Sequence, residues 1–194
     1  MDRWKFNSTL GQFGDKPNRE KELGTGTTLH SLLDWSSRAA VQRLGFIDRQ
    51  KRDILPTPII LLIHCGANDL TEKDLTRKGL IENIECSVLR YKALLRNIVI
   101  VWSSLLQHMY WHFAPLNAGP IIDQKHRRVN SAVRTFVIEN GGRAIWHDSN
   151  IKATEIALYR TDGTHLSHIG NKVFLNNFQG GLETFLNSAK SVFP

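Results

Sequence analysis

The sequence predicts an α/β fold with a mostly parallel sheet, and three observations support this. Three short aliphatic runs, at about 59–64, 98–103 and 143–147, are typical of strands buried on both faces. Segments with apolar residues at helical spacing follow each run. The alternation of strand and helix is the pattern of a sheet built with right-handed crossovers. In such sheets, functional residues gather just beyond the carboxyl ends of the strands.

The first part of the chain is predicted to contain no strand. Residues 1–28 are rich in Gly, Asn, Thr and charge and lack periodicity, which predicts an irregular segment. The text "LHSLLDWSSRAAVQRL", Leu29 to Leu44, has apolar residues at helical spacing and predicts a helix. Pro56 and Pro58 forbid helix in "DRQKRDILPTP", which we interpret as a charged loop.

The middle of the chain holds the clearest strand signal. Ile59 to His64 is a nearly continuous aliphatic run bounded by Pro and Gly, which predicts a buried strand. "TEKDLTRKGLIENIECSVLRYKALL" has apolar residues at helical spacing and predicts a helix. "NIVIVWSS" predicts the second strand, and "LLQHMYWHFAPLNAGP" an irregular stretch after it.

The last third alternates in the same way. "IDQKHRRVNSAVRTFVIEN" predicts a helix that the basic run Lys125–Arg128 opens and that ends at Gly141-Gly142. "RAIWH" predicts a third short strand. A loop then leads to a final helix that should begin near Ser167, a natural N-cap.

Composition limits the classes of function. No apolar run approaches the roughly 20 residues of a membrane span, and the N-terminus has no apolar signal region. Two cysteines without a CxxC pattern favour a reduced chain, so a cytoplasmic location is expected. The net charge of +7 favours an acidic partner such as nucleic acid, but basic residues are scattered among acidic ones. The run Lys125–Arg128 fits a solvated helix face better than a phosphate-binding patch.

Two polar motifs could carry chemistry. "GAND", Gly66 to Asp69, lies just beyond the first predicted strand. In "DGTHLS", Asp162 and His165 stand three apart around a glycine, so the carboxylate could hold the imidazole Nδ1–H and leave Nε2 as a general base. The alternative is a helix-entry turn in which His165 is merely exposed. His168 is a weaker base candidate because it lies inside the predicted helix.

The serine that stands out is Ser31, in "LHSLLDWSSRAA". It lies at a predicted helix start, where backbone N–H groups can hold an oxyanion. On local grounds alone, an N-cap serine is the simpler interpretation.

Together these motifs resemble the SGNH hydrolase superfamily, the GDSL esterases and lipases, over about Leu29 to Leu186. That family has a Gly-x-Asn-Asp block and a C-terminal Asp-x-x-His block. The middle segments, "VIVWSSLLQHMYWHF" and "HRRVNSAVRTFV", look like the variety found in animal proteins, some encoded by retrotransposons. The resemblance implies a three-layer α/β/α sandwich of flavodoxin-like type, with an irregular segment at 1–28 and one hydrolase-like domain at 29–190.

The resemblance also implies roles for individual residues. Asn68 would donate its side-chain N–H to the oxyanion, and Asp162 and His165 would form the acid–base pair. Ser31 would be the nucleophile, since "LHSLLDWSSRAA" matches the family's first block apart from Leu29, where Gly is expected. Asp69 is expected to anchor its turn rather than touch substrate.

Two departures from the family pattern indicate an incomplete N-terminal side. The residues before Ser31, "KELGTGTTLH", are not the aliphatic strand expected there. Ser31 and Asn68 are only 37 positions apart, with Gly45 the one glycine between them outside the Asn68 motif, so the block that supplies a second oxyanion donor looks deleted. We therefore expect a serine esterase acting on a small acyl ester without a cofactor, with weakened or lost activity.

Two alternatives remain at the level of sequence. One is a catalytically dead binding module of the same fold, transposon-derived and associated with nucleic acid. The other, metal binding through His64, Cys65 and His165, lacks a recognised ligand spacing, so no metal is expected. If the hydrolase interpretation holds, Asn68 and His165 should converge at one end of the sheet.

Overall fold

The computed structural model describes residues 60–95, 97–112, 114 and 117–194. It contains one sheet of four parallel strands in the order β1-β2-β3-β4. The strands are Ile60–Ile63 (β1), Val99–Ser103 (β2), Arg143–Ile145 (β3) and Val192–Phe193 (β4). The irregular segment and helix predicted before residue 45, and the loop before the first strand, lie outside the described residues.

The three predicted strands are confirmed, and their burial explains their composition. Leu61, Leu62 and Ile63 are all buried because helices cover both faces of the sheet, so the strand has no polar side. β3 is shorter than predicted and ends at Ile145. β4 was not predicted, because two residues are too few to form a recognisable aliphatic run.

Three long helices complete the layers: Arg77–Leu94 (α1), Gly119–Glu139 (α2) and His168–Asn187 (α3). Helices α1 and α2 pack with Leu61, Ile63, Ile100 and Trp102 on one face of the sheet. Helix α3 packs on the other face through Phe174 and Phe178, against residues that alternate with the first set. The predicted three-layer α/β/α arrangement is therefore confirmed.

The ends of the helices follow the predicted signals, with one correction. Ser167 caps α3 by accepting a hydrogen bond from the Gly170 N–H at 3.1 Å, and α2 ends before Gly141, whose φ is +75°. The basic run Lys125–Arg128 does not open α2. The helix begins two turns earlier at Gly119, because Pro120 is pre-organised for the first turn of a helix.

Two short 3-10 helices lie at the carboxyl edge of the sheet, at Asn68–Leu70 and Ile156–Leu158. The first contains Asn68 itself, and the second lies shortly before the Asp162–His165 motif. Within the described ranges, no helix is both long and apolar enough to cross a bilayer.

Candidate active site

Asn68 is presented on a tight turn directly after β1. The turn begins at Gly66, whose φ of +108° is a conformation that favours glycine, and continues into the 3-10 helix Asn68–Leu70. Asn68 is exposed, and among the described residues no group forms a hydrogen bond with its side-chain amide. Its N–H donors are therefore available to a ligand at this edge of the sheet.

Hydrogen bonds from residues beyond the turn, including Lys125 of α2, hold its backbone in place. The carbonyl of Asp69 accepts from the Glu72 N–H at 3.4 Å and from Lys125 Nζ at 3.3 Å, and Lys125 Nζ also donates to the Leu75 carbonyl at 2.8 Å. Partial burial lowers the pKa of Lys125, while the Asp69 and Glu72 carboxylates oppose that shift. Lys125 thus ties α2 to the Asn68 turn, which gives this member of the basic run a structural role.

Asp162 and His165 form a hydrogen-bonded pair. His165 Nδ1 lies 2.9 Å from Asp162 Oδ2, while Asp162 Oδ1 accepts the backbone N–H groups of Thr164 and His165, each at 2.9 Å. These backbone N–H groups and the His165 ring hold the pKa of Asp162 well below its usual range. The carboxylate therefore stays ionised and serves as a permanent acceptor.

This geometry determines which nitrogen of His165 is left for chemistry. Because an ionised carboxylate can only accept, His165 Nδ1 must be the donor, and a neutral imidazole then has its lone pair on Nε2. The His165 side chain is 63% exposed, so a substrate can reach it. The pair has the form of the base half of a catalytic triad.

A small hairpin presents the pair. Tyr159 and Leu166 form an antiparallel bridge, the Arg160 N–H donates to the His165 carbonyl at 2.8 Å, and the Gly163 N–H donates to the Arg160 carbonyl at 2.9 Å. The hairpin runs straight into the N-terminus of α3. The Asp162–His165 turn is therefore supported on both sides by hydrogen-bonded chain.

The segment after β2 packs against this turn. The N–H groups of Met109 and Tyr110 both donate to the Gly163 carbonyl, at 2.8 and 3.3 Å, and Thr164 Oγ1 donates to the Tyr110 carbonyl at 3.1 Å. His112 Nε2 hydrogen-bonds the Asp162 carbonyl. We refer to residues 104–112 as the docking loop. Its sequence was predicted to be irregular, but nothing in its residue pattern indicated these contacts.

Besides His112, the docking loop carries a further imidazole and an indole. His108 stacks on Trp111 with ring centroids 4.3 Å apart, and Trp111 Nε1 donates to Asp123 Oδ1 of α2 at 3.0 Å. Burial lowers the pKa of His108 to about 4, with smaller contributions from the neighbouring imidazoles of His126, His165 and His112. His108 is therefore neutral at neutral pH. The sequence did not single out either residue.

The structure brings some of the predicted site residues together. Asp162 and His165 are in direct contact, and Asn68 lies at the same carboxyl edge of the sheet because it follows β1 as they follow β3. Direct convergence of Asn68 with His165 stays a prediction. Ser31 and Gly45 lie outside the described residues. In the described part of the chain, no group of three or more His, Cys, Asp or Glu residues could hold a metal ion.

Comparison with known proteins assigns the fold. No protein-family model and no curated protein matches the sequence. Among solved structures, a GDSL-like lipase from Bacteroides thetaiotaomicron matches with a TM-score of 0.56 at 18% identity, over 72% of this chain and 70% of the lipase. The fold is that of GDSL-like hydrolases.

Two further solved structures agree with this fold. A psychrotrophic esterase from Pseudoalteromonas sp. matches with a TM-score of 0.55 at 18% identity, over 77% of this chain and 72% of the esterase. An acetyl-xylooligosaccharide esterase from Geobacillus matches with a TM-score of 0.51 at 16% identity, over 79% of this chain and 70% of the other. At these identities the likeness is one of fold, and the activity of this chain has to be argued from its own residues.

Proposed function

We propose that the protein is a serine ester hydrolase with weak activity. The observation that carries the proposal is the Asp162–His165 pair, with a 2.9 Å contact at Nδ1 and an exposed imidazole, on a GDSL-type fold. A pair of this kind needs a nucleophile and an oxyanion donor, and Ser31 and Asn68 are the candidates. The substrate class is a small acyl ester.

The proposed reaction follows the chemistry of an acyl-enzyme. Ser31 Oγ attacks the acyl carbonyl carbon while its proton moves to His165 Nε2, and the negative charge develops on the carbonyl oxygen. His165 returns the proton to the leaving alkoxide as the ester bond breaks. A water molecule, deprotonated by His165, then hydrolyses the acyl-serine and restores Ser31.

Asn68 and Asp162 act on the charges that this reaction creates. The Asn68 side-chain N–H would donate to the oxyanion, as would the backbone N–H of Ser31. Asp162 keeps the Nδ1–H tautomer and stabilises the imidazolium formed when His165 takes the proton. Because its pKa is held well below its usual range, Asp162 remains ionised at neutral pH and can keep this role throughout the reaction.

The proposed weakness has a physical cause. A missing oxyanion donor costs about 3–4 kcal/mol of transition-state stabilisation, or roughly 10²–10³ in rate. In the sequence, Gly45 is the one glycine between Ser31 and Gly66, and the residues before Ser31 contain no aliphatic run of the kind expected to aim a nucleophile. A nucleophile misplaced by about 1 Å costs roughly another 10² in rate.

The test is hydrolysis of a short-chain aryl ester by the purified full chain, by Ser31→Ala and by His165→Ala. We expect weak hydrolysis by the parent chain and loss of that activity in both variants. His168→Ala is the matched control, because His168 is an exposed histidine three residues further on that is outside the proposed pair. This control should retain the parent rate.

Each other outcome has a definite meaning. Fast ester hydrolysis by the parent chain, with no hydrolysis by either variant, would contradict the proposed weak activity and support the esterase assignment. A parent no better than its variants would contradict the hydrolase and favour a binding module of the same fold. Activity that survives Ser31→Ala but not His165→Ala would show that another residue is the nucleophile. Ser36 and Ser37 would then be the next serines to test.

A further inference from the structure

A chain of hydrogen-bonded polar side chains, with a buried centre, crosses the carboxyl edge of the sheet. Ser103, the last residue of β2, lies 2.9 Å from His64 Nδ1 and 2.8 Å from His147 Nε2. His147 Nδ1 lies 3.1 Å from Asn177 Nδ2, and Asn150 Nδ2 donates to Asn177 Oδ1 at 2.8 Å. Ser103 and His147 are fully buried and Asn177 nearly so. The proposed reaction uses none of these groups.

The donors and acceptors fit one direction of hydrogen-bond donation along this chain, from Asn150 to His64. Because Asn150 donates to Asn177 Oδ1, the Asn177 amide nitrogen must donate to His147 Nδ1, which leaves the His147 proton on Nε2. His147 Nε2–H then donates to Ser103 Oγ. Donation of the Ser103 hydroxyl proton to His64 Nδ1 completes this order, and His64 then carries its proton on Nε2.

Both imidazoles stay neutral, as this order requires. Burial lowers the pKa of His64 to about 4, opposed by a hydrogen bond with the Ser103 backbone, and burial lowers the pKa of His147 to about 3. Phe174 and Phe178 of α3 pack on both rings, with the Phe174 centroid 4.8 Å from His64 and 4.7 Å from His147. Helix α3 therefore sits on the chain through two aromatic rings and one amide.

The chain connects elements that carry both halves of the candidate site. His64, at one end, directly precedes the Cys65–Ala67 turn that presents Asn68, and Asn177 belongs to α3, the helix that begins three residues after His165. We infer that Ser103 is a positioning residue: its hydroxyl completes a one-directional hydrogen-bond chain that holds the Asn68 turn in register with the helix that follows His165. The effect on catalysis rests on the proposed hydrolase function, but the hydrogen-bond order does not.

The experiment begins with the imidazole nitrogens. Two-bond ¹H–¹⁵N correlation spectra of the labelled full chain at pH 7 should show His64 and His147 as neutral Nε2–H tautomers. An Nδ1–H tautomer in either ring would overturn the proposed order, whatever the activity. Asn150→Ala removes an exposed first donor, so the chain should still fold; it should introduce a second tautomer at His147, and an unchanged spectrum would also contradict the order.

Ser103→Ala tests the positioning role, with Ser104→Ala as the matched control. Ser104 is the next residue and equally buried, but its Oγ accepts only the backbone N–H of His147, at 3.2 Å. Ser103→Ala should shift the Asn68 and His165 resonances and lower kcat about tenfold with KM within about twofold. Ser104→Ala should leave both the resonances and kcat close to the parent values.

The outcomes separate this inference from the proposed function. Equal changes in Ser103→Ala and Ser104→Ala would reduce Ser103 to an ordinary buried residue and overturn the inference. If the parent chain has no esterase activity but Ser103→Ala alone shifts Asn68 and His165, the hydrolase fails and the positioning chain stands. If activity is present and Ser103→Ala leaves kcat unchanged, the hydrolase stands and the inference fails.

Discussion

Gly163 lies inside the Asp162–His165 turn with a φ of +64°, a backbone conformation that side chains with a Cβ rarely adopt. The Tyr110 ring of the docking loop lies directly over it. A Cβ on Gly163 would come within 2.2 Å of Tyr110 Cδ2 and 3.1 Å of the Met109 Cβ. At Gly163 the turn that carries His165 therefore packs directly against the docking loop, without room for a side chain between them.

Gly163→Ala should therefore lower the free energy of unfolding by more than the positive φ of this residue alone explains. Gly141→Ala is the matched control, since Gly141 has a φ of +75° but no atom near its Cβ position. We expect Gly141→Ala to lower the free energy of unfolding by roughly 1–2 kcal/mol, and Gly163→Ala by about 1–3 kcal/mol more, as measured by urea denaturation.

A double-mutant cycle isolates the contact. Tyr110→Ala removes the ring, so in that background Gly163→Ala should cost about the same as Gly141→Ala. An excess cost that persists without the Tyr110 ring would show that the contact is not its cause.

At the scale of elements, a buried amide, Asn130, is a main contact between the docking loop and helix α2. Asn130 Oδ1 accepts the Leu105 N–H at 2.8 Å and Asn130 Nδ2 donates to the Leu105 carbonyl at 3.0 Å, so one side chain satisfies both backbone groups. His126 Nε2 lies 2.7 Å from the same carbonyl and donates to it as well. The 3.1 Å approach of His126 Nε2 to Asn130 Nδ2 thus reflects two donors sharing one acceptor.

Asn130→Ala should loosen the docking loop as well as destabilise the domain. It leaves a buried N–H of Leu105 without its acceptor, which costs about 1–3 kcal/mol. We expect faster hydrogen exchange at the Met109 and Tyr110 amides, which donate to the Gly163 carbonyl.

Asn140→Ala is the control for this prediction. It removes an amide at the end of the same helix that bonds only the Phe136 carbonyl of its own last turn, at 2.8 Å. Exchange at Met109 and Tyr110 should not change in this variant. If Asn130→Ala also leaves those amides protected, the Asn130–Leu105 contact does not hold this part of the docking loop.

At the scale of the whole molecule, local sequence patterns predict the strands and helices, but they do not predict contacts between residues far apart in the sequence. The three aliphatic runs and the Ser167 cap produce strong local patterns, so three strands and the start of α3 were predictable. The Asp162–His165 pair was predictable because its partners are three residues apart. The Ser103 chain and the Asn130–Leu105 contact join residues 25 to 44 positions apart, and no local pattern reports such pairs.

The same buried imidazoles make the stability of the whole fold depend on pH. The pKa of the fully buried His147 is lowered to about 3 and that of His64 to about 4, against about 6.5 in an unfolded chain. The unfolded chain therefore binds more protons below pH 6.5, and stability falls as the pH drops through this window. The Asp162 carboxyl, whose pKa is also lowered, adds a loss only below about pH 4. The Asp148 carboxyl, whose pKa burial raises, acts in the opposite direction.

We expect the free energy of unfolding to fall between pH 7 and pH 4.5, with His147 contributing roughly 2 to 3 kcal/mol of the loss. Urea denaturation at several pH values measures this. His147→Gln removes the titration while keeping an amide in the polar chain, so its profile should be flatter by about that amount. His168→Gln is the control. His168 is an exposed histidine at the start of α3, the helix that packs on the polar chain, and this variant should keep the pH dependence of the parent's stability. A His147→Gln profile as steep as the parent would mean that acid destabilises the fold through groups other than this buried imidazole.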